Sequence, residues 1–253
     1  MFQPHDEFEQ PEDKAILWRY QDLPRYIDLL LKQQLFFSRA DKFEDPFEGK
    51  YTLQSRKELI KEQLNNNNNK QEDENKVKEK VDQLAEEHLA KRTFVTINSW
   101  HQNNDENYAM WKIYARGDYG LAIQSTYERL KHSFNATDKQ VFIGKVNYYN
   151  ESNEPIPFGD ELIPFLRKRR IYEYENEVRC CHVIPQEEKE FMWQEQDKYD
   201  GIFVTADLDT LIEKIYISPY SPNWIRDIVG GINERFNVKK EIVHSTVFDS
   251  EEY

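Results

Sequence analysis

Along the chain, apolar positions alternate in some stretches and recur every three or four residues in others, and the two rhythms separate strands from helices. AILWRY (15–20) reads as a short strand. QDLPRYIDLLLKQQ reads as a helix capped by Asp22, with Leu23, Ile27, Leu30 and Leu31 on one face, and LFFSRA (35–40) as a second strand. After the turn-rich DKFEDPFEG, residues 55–91 are charged and helical, with Val77, Val81 and Leu84 at helical spacing. Asn65 to Asn69 interrupt them, which predicts a helical hairpin insertion with a flexible Asn-rich tip.

TFVTINSW (93–100) returns to strand rhythm. NNDENYAMWKIYAR is predicted as a helix opened by a capping box of Asn103 and Glu106 and ended by Gly117. YGLAIQST is a strand, and Ser125 with Glu128 caps the helix YERLKHSF. VFIGKVNYY is a strand, DELIPFLRKRR a helix kinked near Pro164, and ENEVRCCHVI (175–184) a long strand. The rest reads GIFVTADL strand, DTLIEK helix, IYISP strand, WIRDIVGGINERF helix and EIVHSTVF strand. This order predicts an α+β class: a single domain, 1–253, of mixed, mostly antiparallel sheets with flanking helices and the 55–91 insertion.

Composition adjusts that picture. The chain has 253 residues, of which 38% are hydrophobic, and a mean hydropathy of −0.90, yet 15 Tyr, 15 Phe and 5 Trp supply enough apolar area for a core. A net charge of −13 opposes general attraction to nucleic acid and leaves RKRR (167–170) as the one basic strip. No signal-peptide pattern and no run of 18 apolar residues is present, so the expectation is a cytoplasmic protein without membrane contact. Cys180 and Cys181, being adjacent, exclude a disulfide framework and suit a reducing compartment.

Motifs exclude more than they include. There is no GxGxxG, P-loop, HExxH or CxxC, and the six His residues lack ligand spacing, so no metal is expected. Asp41, Glu48 and Lys50 fit a nuclease-like pattern that chance produces easily in a chain with 32% charged residues. YEYENEVRC (172–180) is more informative, because strand alternation would put Glu173, Glu175, Glu177 and Arg179 on one face. Such a row is either a solvated outer face or a site in which repulsion raises one carboxyl's pKa. Paired carboxylates suit chemistry at a glycosidic carbon that becomes cationic. Arg19, between aromatics, is either a snorkelling side chain or a fork for phosphate or carboxylate. In SWHQNNDENYAMWKIYA (99–115) most aromatics read as core, but Trp100, His101 and Glu106 cluster where a strand gives way to a helix.

LWRYQDLPRYIDLLLKQQLFFSRADKFEDPFEG, FVTINSWHQNNDENYAMWKIYARGDYGLAIQSTYERL and RRIYEYENEVRC resemble, in order and spacing, the bacterial domain of unknown function family 2971, with E-x-x-x-M-W-x-x-Y-A the most specific element. That family brings no established activity. A second resemblance, to the R-S-E arrangement of ADP-ribosyltransferases, rests on an Arg on a first strand, a Ser at a later strand end and a Glu-x-Glu on a late strand. It implies an ADP-ribosyltransferase-like fold with NAD as substrate. Arg19 would hold the NAD phosphate and ribose, Ser99 would support the nicotinamide side, and Glu177 would bond the ribose and stabilise an oxocarbenium-like transition state. Glu175 would orient the acceptor, and Tyr114 or Trp111 would stack on nicotinamide. A single Ser rather than an S-T-S run stands at 99, and Glu173 leaves the Glu-x-Glu register ambiguous.

Two function classes stay open. One is an NAD-dependent ADP-ribosyltransferase-like or NAD glycohydrolase enzyme, which the resemblance places among effectors of bacterial defence or conflict, with a protein or nucleic acid as acceptor. The other is a non-catalytic domain in which Arg19, Trp100 and His101 recognise a nucleotide, small molecule or peptide. A nuclease built on His101 and acidic residues ranks behind both, because the metal constellation is missing.

Overall fold

The computed structural model describes residues 1–66, 73–115, 117–185, 187–188 and 199–248. Its elements run β1 Phe2–Gln3, β2 Ile16–Asp22, α1 Leu23–Lys32, β3 Gln34–Arg39, α2 Leu53–Asn66, α3 Glu74–Ala90, β4 Val95–Gln102, α4 Tyr108–Tyr114, β5 Gly120–Thr126 and α5 Tyr127–Ser133. Then follow β6 Val141–Lys145, β7 Asn147–Tyr149, β8 Arg167–Arg169, β9 Glu177–Val183, β10 Gly201–Thr205, a short helix Leu208–Leu211, β11 Lys214–Ile217, a helix Trp224–Arg235 and β12 Glu241–His244. The class is α+β: a ten-stranded sheet in the order β1-β6-β9-β4-β2-β5-β11-β12, with β3 and β10 branching from β4, and flanking helices. All its pairings are antiparallel except β1 with β6 and β11 with β12.

The branch is the feature that places the site. One edge of β4 pairs with β9 from Val95 to His101. The other edge is shared: β3 holds it at Thr96 and Ile97, and β2 holds it at His101 and Gln102. In the fork between them Asn98 Nδ2 donates to the Phe36 carbonyl at 2.8 Å and Arg19 Nη1 donates to the Ser99 carbonyl at 3.0 Å. Because paired residues share a face and neighbours in a strand alternate, the sheet's two faces can be assigned from these registers. The first face carries Leu17, Phe37, Trp100, Ile123, Val178 and Cys180 under Tyr26, Leu29 and Leu30 of α1, and forms the largest core. The second carries two apolar clusters. Trp18, Tyr20 and Ala122 lie against Met110 and Trp111 of α4, while Val95, Ile97 and Cys181 lie against Phe8, Tyr149 and the 162–166 segment.

Several local expectations are corrected. Asp22 caps α1, accepting from Arg25 N at 2.8 Å, but the buried face is Tyr26, Leu29 and Leu30, and Leu31 is 64% exposed. α4 is capped by Asn107, whose Oδ1 accepts from Ala109 N at 2.9 Å and Met110 N at 3.2 Å, because β4 continues through His101 and Gln102 and delays the helix. Thr126 caps α5, while Ser125 Oγ is taken by the Leu211 carbonyl at 2.6 Å. The helix expected over DELIPFLRKRR is instead a single 3-10 turn, Ile163–Leu166, followed by β8 paired with β7. Pro164 has no N–H to continue a helical ladder but suits the first turn. The strand expected from residue 175 begins at Glu177, since Arg170–Glu175 is a 3-10 helix and Asn176 turns through φ 38°.

α2 and α3 pack on each other, tied by Arg56 to Asp82 at 3.1 Å, with Val77, Val81 and Ala85 buried. Their base is anchored in the body. Ser55 Oγ accepts from Ile156 N at 2.7 Å, and the His88 ring lies 4.7 Å from that of Tyr51 and 5.5 Å from that of Phe165. Most of the Asn run, 67–69, lies outside the described residues. Among the described residues no helix is long and apolar enough to cross a membrane.

Candidate functional site

Between the two apolar clusters of the second face lies a buried polar strip. β4 contributes Ser99 and His101, and β9 places Arg179 and Glu177 directly opposite them. Glu175 reaches the same place through the turn at Asn176, which ends the alternation that would have carried the row on to Glu173. Glu173 is exposed and takes no part. The expected row of three carboxylates is therefore two, Glu175 and Glu177, and neither is solvated: they are 4% and 7% exposed.

Two cations, Lys168 of β8 and Arg179 of β9, hold them. Lys168 of β8, itself 7% exposed, bonds Glu175 Oε2 and, at 2.9 Å, Glu177 Oε1. Arg179 Nε donates to Glu177 Oε2 at 2.5 Å, while its Nη1 and Nη2 reach Glu48 at 2.5 and 3.1 Å and Nη1 also reaches the Phe165 carbonyl at 2.6 Å. Glu48 comes from the FEDPFEG loop, where Asp45 is bonded by Arg169 at 2.9 Å. Tyr114 of α4 closes the other end, its hydroxyl donating to Glu175 Oε1 at 2.8 Å. Glu177 N donates to Tyr148 Oη at 2.9 Å. The strip is thus one chain of contacts, Tyr114–Glu175–Lys168–Glu177–Arg179–Glu48, and its end at Tyr114 is 39% exposed.

Glu175 and Glu177 are displaced in opposite directions. Burial, reinforced by the hydrogen bond and charge of Glu177 and opposed by Lys168, pushes Glu175 up to about 7. Burial acts in the same sense on Glu177, but Arg179 and Lys168 outweigh it and hold that carboxyl well below its ordinary value. At neutral pH the pair carries one ionised member and one that readily holds a proton, the division of labour that acid–base chemistry between two carboxyls requires. Burial and then Glu175 raise the Tyr114 hydroxyl far above its usual range, so it stays a donor.

The other expected site residues separate by face. Arg19 pairs with Ile123 and follows Trp18, which faces the strip with His101, so Arg19 lies on the opposite, first face. Its shared position with Glu177 in one cleft is corrected accordingly: strand alternation assigns the two side chains to different sides of the sheet. Arg19 is half-buried and has no carboxylate partner among the described residues, and burial lowers it to about 10. Trp100 also belongs to the first face, 1% exposed, its Nε1 on Asn98 Oδ1 at 2.8 Å. Trp111 is fully buried, its Nε1 donating to Glu106 Oε2 at 3.0 Å and its ring edge-on to Tyr20 at 4.9 Å. Ser99, His101, Tyr114, Glu175 and Glu177 are brought together; Arg19 and Trp100 are not. Lys168 escaped the sequence reading because RKRR was placed on a helix, and Glu48 because its pattern looked accidental. Among the described residues no group of three or more His, Cys, Asp or Glu is placed to hold a metal ion.

No protein-family model matches the chain, and no curated protein matches it. The resemblance to domain family 2971 gains nothing from that comparison. One solved structure, Thermus sp. 2.9 DarT in complex with carba-NAD+, is similar at 11% identity over 92% of this chain and 96% of that one, with a TM-score of 0.36. At that identity and score the two chains need not share a site, and the chemistry here is argued from the residues of the strip.

Proposed function

We propose that the chain acts on an N-glycosidic bond, as an NAD-consuming transferase or glycohydrolase, with the Glu175–Glu177 pair as its reactive centre. The observation that carries this reading is the burial of two carboxyls on one polar strip with unlike partners, Glu175 held by Tyr114 and Lys168 and Glu177 by Lys168 and Arg179, which displaces the two in opposite directions. Breaking the bond between the ribose carbon and the pyridinium nitrogen sends the bonding electron pair to nicotinamide and leaves a cationic sugar carbon. Glu177, kept ionised by Arg179 and Lys168, stabilises that charge. Glu175 takes the proton released when water or an acceptor hydroxyl adds to the carbon. Arg19, on the other face, has no part in this step; its lack of a carboxylate partner suits an anion elsewhere in the fork.

Incubation of the protein with labelled NAD, with and without cell lysate, tests the reading by release of nicotinamide. Glu177→Gln should lower release by roughly two to three orders of magnitude. Equal release from wild type and variant removes the pair from the mechanism. A specific observation favours a second reading. All four carboxylate oxygens of the pair already accept protein hydrogen bonds, as they would in a purely structural ion network. In that case no nicotinamide is released and the domain is a binding module. The effector role in bacterial conflict, a further part of the proposal, predicts growth arrest on expression of the wild type and not of Glu177→Gln.

A further inference from the structure

We infer that His101 Nε2 and Ser99 Oγ form a two-point contact for the donor–acceptor edge of an amide, a carboxamide or the lactam edge of a nucleobase. The inference rests on the proposed function only in setting that ligand beside the carboxylate pair.

His101 is 4% exposed, and its Nδ1 lies 2.5 Å from the Glu175 carbonyl. A carbonyl only accepts, so Nδ1 must carry the hydrogen and Nε2 is left as a bare acceptor. Burial lowers the imidazole's pKa below its ordinary value, against weaker upward pulls from the Glu175 carbonyl and Glu177, which keeps it neutral. Nε2 has no hydrogen-bond partner although it is fully buried, and the same is true of Ser99 Oγ. An orphaned buried polar atom costs about 1–3 kcal/mol, so two of them on one face of one strand call for a partner.

Their placement states what that partner is. Ser99 and His101 are two residues apart on β4 and therefore share a face, roughly 7 Å apart at the backbone. Their partners across β9 are Arg179 and Glu177, so the two orphans lie alongside the reactive pair. His101 Nε2 accepts only. Ser99 Oγ can donate. The complementary group is one with a donor and an acceptor side by side, which an amide edge offers: its N–H to Nε2 and its carbonyl to Oγ. A charged carboxylate would set an acceptor against the bare Nε2, and a ketone would offer no donor to it.

The test uses the full chain, labelled with 15N-histidine, titrated with nicotinamide, with 3-acetylpyridine, which keeps the ring and carbonyl but lacks the N–H, and with uridine. The expected result is binding of an amide at least tenfold tighter than the ketone, with movement of the His101 Nε2 resonance. That preference should vanish in His101→Phe and weaken in Ser99→Ala, whose smaller change keeps the test valid where His101→Phe fails to fold. Preference for nicotinamide identifies a carboxamide, and preference for uridine identifies a nucleobase. Equal affinity for amide and ketone, an unmoved Nε2 resonance, or no binding by either amide overturns the inference and leaves the orphans to a buried water. Amide preference without nicotinamide release from NAD removes the proposed reaction and keeps the contact; release without preference does the reverse.

Discussion

Glu175→Gln isolates the raised carboxyl of the strip. In the folded chain Glu175 stands at about 7 against an ordinary 4.5, so between those values the folded state keeps a proton that the unfolded chain has released. Stability from this group is therefore whole below about pH 4.5 and is lost as pH rises to about 7. At about 1.4 kcal/mol for each pH unit of that window, the loss is on the order of 3 kcal/mol, or roughly 6–12 °C of Tm for a chain of this size. Three buried histidines act in the opposite sense. Burial pulls His88 down to about 4 and also lowers His101 and His182, so each destabilises the fold when it must stay neutral, and stability rises with pH through their range. Because all three remain in the variant, the informative quantity is Tm of the variant minus Tm of wild type. Measured by calorimetry from pH 4.5 to 8, that difference should climb through the window and level off above it. A flat difference would refute the claim that Glu175 shares its burial with an ionised Glu177.

Arg179→Met should cost about 3–5 kcal/mol by leaving Glu48 buried without its cation and Glu177 with Lys168 alone, and adding Glu48→Gln should recover part of it in a thermal double-mutant cycle. Gly49→Ala should cost about 2–4 kcal/mol by melting, since residue 49 holds φ +69° and a Cβ there would meet Phe165 Cε1 at 2.3 Å. Glu173→Gln, at an exposed position outside the strip, should change Tm by no more than about 1 °C and leave any nicotinamide release intact. On the acid side Glu177→Gln should flatten the fall in Tm below about pH 4.5, because the ionised carboxyl's contribution is present above its unfolded value and lost as pH drops.

What the sequence made legible follows from what alternation and capping encode. β2, β3, β4 and β9 carry their burial pattern in their own residues, and Asp22 marks the start of α1 by its type and position. The row 173–177 was misread because alternation holds only while each residue stays extended. Asn176 leaves that region, as Asn does more readily than most residues, and no spacing in YEYEN announces it. Lys168 was hidden by an apolar run that fits a helix as well as a strand until Pro164 is weighed.

The pairing of Arg19 with Glu177 failed for a deeper reason. A strand's sequence states which of its residues share a face, but not which face of the next strand they will meet. That parity is set by register, and a shift of one residue exchanges the sides. Here β2 meets β4 with Trp18 opposite His101, and β4 meets β9 with His101 opposite Glu177, so Trp18 and Tyr20 inherit the side that the resemblance reserved for Arg19. The same two registers set the orphaned atoms of Ser99 and His101 beside the carboxylate pair. The parity that removes the arginine from the strip therefore supplies two uncharged hydrogen-bonding groups in its place, which is what the proposed contact with a neutral polar edge draws on.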